Sequence, residues 1–319
     1  MKFKLPWREL LCATLLSFVA PANSQSYPVR PVTMYVGLSA GGSVDLLARA
    51  AAEELFTALG QRFVVVNREG GSMMIAMRAV LSGAPDGYTL GIGPATPFTH
   101  VLHVLDEKPF ALDQFEFVCE YFQNEFTVSV RQESPHRTIG ELLDAMRAQP
   151  DKLSYGHTGK ASVTHVAAVD LLQRTGTRAL DVPFSGEAAA LPMLLGGTID
   201  WSPLTVATAV AQKGRVRVLA VFAEKRHPNL PDAPTLAEQG IRMPTHAAPN
   251  GIFAPKGTPR EVLRSLEAAC GRAARSERFG QLAQKYSAVP AYRNSAEFTQ
   301  FVVEDNRSKG ELIRGLSLK

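Results

Sequence analysis

The chain is poor in cysteine and tryptophan and carries almost no excess of one charge. Three cysteines and two tryptophans stand among 319 residues, and 34 lysines and arginines face 30 aspartates and glutamates, a formal +4. So few cysteines exclude a scaffold built on dense disulfides. The small positive excess, with no clustered basic stripe and no aromatics interleaved in one, argues against nucleic-acid recognition. Half of that excess comes from Lys2, Lys4, Arg8 and Glu9 alone. Glycine (25) and proline (21) are too sparse for a collagen-like or low-complexity chain. No segment after the N-terminal region reaches the ~18 consecutive apolar residues of a membrane span, so the mature chain is expected to be soluble, without membrane insertion. With 45% hydrophobic residues, a globular chain of about two domains is what remains.

The N-terminus points to export. Met1 to Arg8 carry three cations, Leu10 to Ala20 form a short apolar run broken by Thr14 and Ser17, and Ala22-Asn23-Ser24 supply small residues where a signal peptidase reads. This is the layout of a secretory signal peptide over residues 1–24, cleaved after Ser24. The apolar run is roughly half the length of a membrane anchor. A lipoprotein needs cysteine at the cleavage site, whereas Cys12 lies inside the run. Cleavage leaves Cys119 and Cys270. Sequence alone cannot bring these within disulfide distance, and two separately buried cysteines are the favoured expectation.

Beyond residue 27 strands alternate with helices. Val32–Leu38 reads as a buried strand, and Val44, Leu47, Ala48, Ala51, Leu55 and Leu59 fall at helical spacing until Gly60 stops the helix. Strands are expected at 63–66, 88–92, 127–130, 152–155, 180–182, 198–201 and 216–222. Helices are expected at 72–81, 139–148, 163–174 and 187–195. Pro228, Pro231 and Pro234 then break the pattern, and helices are expected to dominate from Pro259 onward. Strands joined by crossover helices predict an α/β fold of two lobes, each a mainly parallel sheet with flanking helices, around a ligand cleft.

Three strand-to-helix turns are candidates for that cleft. Ser39-Ala40-Gly41-Gly42-Ser43 leads into a helix that Ser43 can cap and whose first turn holds Asp45. Helix starts attract anions through unpaired N–H groups and the dipole, and glycine allows close approach. Capping and charging the helix are equally served by Ser43 and Asp45. The second turn, Gly156 to His165, offers Thr158, Gly159, Ser162 and one cation, Lys160. The third, Pro183-Phe184-Ser185-Gly186, again enters a helix. Three turns of one type make a small anion the leading ligand.

Several segments also match a family. Tyr27-Pro28, Ala40-Gly41-Gly42-Ser43-Val44-Asp45 and Val64-Val65-Val66-Asn67-Arg68 carry the likeness first, followed by Ala84-Pro85-Asp86-Gly87-Tyr88-Thr89-Leu90 and Val182-Pro183-Phe184-Ser185-Gly186. Leu195-Gly196-Gly197-Thr198-Ile199-Asp200, Leu230-Pro231-Asp232-Ala233-Pro234-Thr235 and Ala254-Pro255-Lys256-Gly257-Thr258-Pro259 complete it. In this order they resemble the tripartite tricarboxylate transporter (TctC, or Bug-type) solute-binding proteins over about residues 27–317. The resemblance implies a periplasmic, type II-like Venus flytrap that closes on a small carboxylated solute and needs no cofactor or metal. It implies lobes formed by 27–122 plus 226–319 and by 123–225. One ligand carboxylate is gripped by turns matching Ser39 to Asp45 and Thr158 to Ser162, with Ala95, Thr96, Ser185 and Gly186 lining the rest. The partners implied are membrane permease subunits, acting with a monomer. A membrane sensor kinase reading lobe closure is the alternative partner. Departures fall near the pocket. Glu69 stands where proline is usual, Ser185 where a base is common, Lys160 where a small or amidic residue is usual, and Pro249-Asn250 where aromatics precede Gly251. The resemblance therefore does not carry citrate over as the ligand.

Rival chemistries are weaker. Gly37-Leu38-Ser39-Ala40-Gly41 fits the G-x-S-x-G nucleophile pattern, with His157 or His165 as base. That elbow, however, lies on the first strand of the mature chain, with no preceding strand to supply the usual oxyanion loop. His100 and His103 lack a surrounding ligand cluster. Gly159-Lys160 lacks the spacing of a phosphate-binding loop.

Overall fold

A computed structural model describes residues 27–244 and 246–316; the expected signal peptide at 1–24 lies outside the described residues. The chain opens with β1 (Val32–Val36), α1 (Ser43–Leu59), β2 (Phe63–Asn67), α2 (Met74–Leu81), β3 (Thr89–Pro94) and a single turn, α3 (Thr96–Thr99). β1 pairs in parallel with both β2 and β3. The helical-period residues Leu47, Ala48, Ala51 and Leu55 are buried in one cluster with Val32, Met34 and Leu90. Gly60 ends α1 in the left-handed conformation (φ 75°), where its lack of a Cβ matters.

β4 (Phe115–Arg131) is a single 17-residue strand. The expected strand at 127–130 is only its last part. Its first two-thirds pair antiparallel with β9 (Ala247–Pro255), and Phe126–Val130 pair with β7 (Trp201–Thr205). β8 (Val216–Val221) and β10 (Val289–Arg293) also join β4. The expected lobe boundary at 122/123 falls inside this strand. The second parallel group is β5 (Ser154–His157) between β6 (Leu180–Pro183) and β7. Its helices are α4 (Ile139–Ala148), α5 (Val163–Thr175), α6 (Glu187–Leu195) and α7 (Val206–Ala211). The sheet order is β2-β1-β3-β9-β4-β7-β5-β6. The fold is thus α/β with parallel pairs in each half, made mixed by the antiparallel strands that join them.

α8 (Arg260–Ala274), α9 (Glu277–Lys285) and α10 (Ser295–Gly315) follow β9, with β10 between the last two. Helices therefore do not fill the whole C-terminal region. The strand expected at 198–201 begins instead at Trp201, because the amides of Thr198 and Ile199 still close back on Met193 O at the end of α6. Cys119 on β4 and Cys270 on α8 form a disulfide, with Cα atoms 6.6 Å apart. This corrects the expectation of two separate cysteines: residues 151 apart in sequence meet where α8 packs on β4.

Two apolar cores flank the joining strands. One surrounds Met34, Leu55, Cys119, Leu266 and Phe279. The other surrounds Val128, Leu142, Tyr155, Leu171 and Trp201. Between them lie the carboxyl ends of β1, β3, β5 and β7 and the turns that follow.

Candidate functional site

Two helix starts, one from each half, face one enclosed space. Gly42 is the N-cap of α1, in extended conformation, and no side chain caps the helix. The first intrahelical bond runs from Leu46 N–H to Gly42 O at 3.0 Å, which leaves the amides of Ser43, Val44 and Asp45 without an intrahelical acceptor. The expected cap, Ser43, is instead the first helical residue. Its hydroxyl lies 3.3 Å from Thr205 Oγ1 and donates to Glu187 Oε2 at 3.4 Å, both on the opposite half. At α5, Ser162 is the cap and accepts from His165 N–H at 3.2 Å, leaving the amides of Val163 and Thr164 without intrahelical partners.

Asp45 is buried and anchors the first turn. Its carboxylate accepts from Gly41 N–H (3.0 Å), Arg49 Nε and Nη2 (3.1 and 3.0 Å) and Asn67 Nδ2 (2.9 Å). Burial by itself pushes its carboxyl up. The donors from Arg49, Gly41 and Asn67 outweigh that and hold it below the ordinary range. Asn67 Nδ2 also donates to Leu38 O at 2.9 Å, so the strand end, the turn and the helix are locked together. Gly41 has φ 82° and is needed for this turn.

A stacked imidazole pair holds the second turn. The rings of His157 and His165 lie 4.2 Å apart at 14°. His165 Nδ1 accepts from Ala161 N–H, and His157 Nδ1 donates to Gly159 O, both at 2.9 Å. Burial, reinforced by the neighbouring His157, lowers His165 to about 3. Asp181 approaches His157 Nε2 at 3.5 Å, which makes a metal-sized cluster. The Ala161 bond, however, places the His165 proton on Nε2, and nearly parallel rings do not converge on one ion.

The cavity between the two helix starts measures about 50 Å³. Of the residues expected from sequence, Ser39, Gly42, Ser43, Asp45, Thr96, Thr158 and Ser162 line it. Ala40, Gly41, Ala95, Gly159, Lys160, Ser185 and Gly186 stand outside its wall. Ala40, Gly41, Lys160 and Ser185 are exposed. Gly186 abuts Ser39: a Cβ built on it meets Ser39 Oγ at 2.3 Å. Sequence reasoning missed Asn124 and Phe126, which reach the cavity because β4 passes beneath both halves, and Glu187 and Thr205. Asn124 sits in the polar triplet Gln123-Asn124-Glu125, which carries no local signal of a site. Glu187 is partly exposed along its stem, but its carboxyl is enclosed; that enclosure pushes it up, against hydrogen bonds from Thr208, Thr205 and Ser43. A second bond across the opening runs from Ser72 Oγ to Lys160 O at 2.6 Å.

The nucleophile arrangement is not assembled. Ser39 Oγ is buried and has no hydrogen-bond partner among the described residues, and both candidate imidazoles are engaged with the 159–161 turn. Among the described residues no helix is long and apolar enough to cross a membrane.

Comparison with known proteins identifies the family and the fold. The family described as "Tripartite tricarboxylate transporter family receptor" matches residues 47–318. The periplasmic binding protein BugD superposes with a TM-score of 0.86 at 28% identity, covering 91% of this chain and 98% of its own. MatC of Rhodopseudomonas palustris, solved with bound malate, gives 0.84 at 27% identity, covering 90% and 100%. A second R. palustris protein, solved with adipate, gives 0.87 at 27% identity, covering 91% and 99%. The chain belongs to the tripartite tricarboxylate transporter receptor family, whose fold is that of periplasmic binding proteins and not of enzymes.

Proposed function

We propose that this protein is exported by residues 1–24, works in the periplasm as a monomer, and captures a small carboxylated organic anion between lobes formed by 27–122 plus 226–319 and by 123–225. The loaded, closed form is then presented to the membrane permease subunits of a tripartite tricarboxylate-type transporter. The observation that carries this reading is the pair of helix starts from opposite halves, with free first-turn amides on one small cavity. A carboxylate between them satisfies donors of both lobes at once, so its binding favours the closed form over the open one. Malate and adipate in two structural neighbours support the ligand class. The unpaired Ser39 hydroxyl is a further donor on the wall.

The test is a thermal-shift screen of the mature protein against carboxylates, sugars, neutral amides and inorganic anions, since a ligand of the folded state alone raises the melting temperature. Shifts restricted to organic carboxylates support the reading; shifts restricted to another class overturn it. Uptake of the bound solute that depends on both this protein and the adjacent permease subunits tests the transport step.

A further inference from the structure

Both acidic groups on the cavity wall already have their acceptor positions filled. Asp45 is neutralised by Arg49 and accepts four hydrogen bonds in all. Among the described residues no cation stands beside Glu187. Its four donors are all neutral: Thr205 N–H, Thr205 Oγ1 at 2.9 Å, Thr208 Oγ1 at 2.7 Å and Ser43 Oγ. Among the described residues no lysine or arginine lines the cavity, and Lys160, the one cation of the neighbouring turn, is exposed outside its wall. The remaining wall is largely apolar, with Leu38, Val44, Met73 and Phe126.

Resting on the carboxylate reading above, we propose that the site selects monocarboxylates with an uncharged remainder, and that Glu187 is the residue that rejects a second anionic group. One carboxylate is accommodated by the two helix starts. A second carboxylate in so small a space faces Glu187 with no cation to compensate either charge, in surroundings that screen weakly. An ammonium there is attracted to Glu187, but it must shed its hydration in a largely apolar space and finds the acceptor positions of the carboxylate taken, which offsets that gain. The site therefore departs from the malate- and adipate-bound relatives in ligand class while keeping their fold.

The experiment is calorimetric titration of the mature protein and of Glu187→Gln with chain-matched pentanoate, glutarate and 5-aminopentanoate, extended to shorter and longer homologues. Glutamine keeps the shape, and the hydroxyls of Thr205, Thr208 and Ser43 can turn to accept from its amide. The wild type is expected to bind the monocarboxylate roughly tenfold or more tightly than the dicarboxylate, and Glu187→Gln to close that gap. Glutarate or 5-aminopentanoate bound as tightly as pentanoate by the wild type overturns the selectivity and leaves the carboxylate reading standing. A selectivity unchanged in Glu187→Gln removes the role of Glu187. No binding by any carboxylate, with binding of a different class, overturns both.

Discussion

Gly186→Ala separates closure of the cleft from stability of the fold. Gly186 sits at φ 170° and ψ 174°, extended backbone that alanine adopts without strain. Chain neighbours aside, the three atoms nearest its added Cβ all belong to Ser39 across the cleft, Oγ at 2.3 Å, N at 3.0 Å and Cβ at 3.3 Å. The hydroxyl can rotate away, but the backbone nitrogen cannot, and restoring an ordinary contact needs the halves to part by a few tenths of an ångström. Overpacking of this kind costs roughly 1–3 kcal/mol. That cost falls on the closed form alone, so ligand affinity is expected to drop about 5- to 150-fold. The ligand-free protein relieves the contact by opening, and alanine in place of glycine restricts the unfolded chain slightly, so its melting temperature should be unchanged or slightly raised. Calorimetry for affinity and a ligand-free thermal melt for stability read the two effects separately. An unchanged dissociation constant refutes the reasoning, and so does a melting temperature lowered in proportion to the lost affinity.

Three further outcomes follow from the geometry. Asp45→Ala removes the acceptor of Gly41 N–H and of one Asn67 Nδ2 hydrogen, beside a half-exposed Arg49 that stays solvated. It should cost about 2 kcal/mol of stability and weaken binding, read by denaturant melts and calorimetry; an unaffected melt contradicts the anchoring role. Opening the disulfide frees a 151-residue separation, for which loop entropy gives about 5 kcal/mol as an upper figure. Reduction, or the double change Cys119→Ala with Cys270→Ala, should therefore lower the melting temperature by several degrees, and two free thiols in the unreduced protein would count against the pairing. His165 is held near 3 when folded and titrates near 6.5 when unfolded. The unfolded state thus binds the extra proton, and stability is full above about 6.5 and falls as pH drops below it. The fall at pH 5 is about 2 kcal/mol from this site, and His165→Gln should flatten that slope in pH-dependent melts; an unchanged slope contradicts it.

The sequence made the parallel βα units legible because their signals are local. Apolar spacing, Gly60 as a stop and the glycine turn all lie within one element and its neighbour, and the structure places α1, β2 and α4 where that spacing puts them. What escaped depends on pairing between distant segments. β9 carries Pro249, Asn250 and Gly251, poor strand formers held by antiparallel partners on β3 and β4. The Cys119–Cys270 pair has the same origin: neither residue announces its partner until α8 lies on β4. At the site, the turns were legible and the walls were not. Ser39, Ser43 and Ser162 stand out by local pattern, whereas Glu187 and Thr205 pair between separate elements of one half, and Asn124 joins them on the wall only through the strand that both halves share. Lys160 shows the converse error, a charge that draws attention in sequence and faces solvent in the fold.

The most direct test of the central claim is a crystal structure of the mature protein with a bound monocarboxylate. The account predicts one carboxylate group within hydrogen-bonding reach of first-turn amides from both helix starts, Ser43–Asp45 on α1 and Val163–Thr164 on α5, with the remainder of the ligand against Leu38, Met73 and Phe126. A carboxylate bound instead at Lys160, or in the open hollow lined by Lys225, Arg226 and His227, contradicts it.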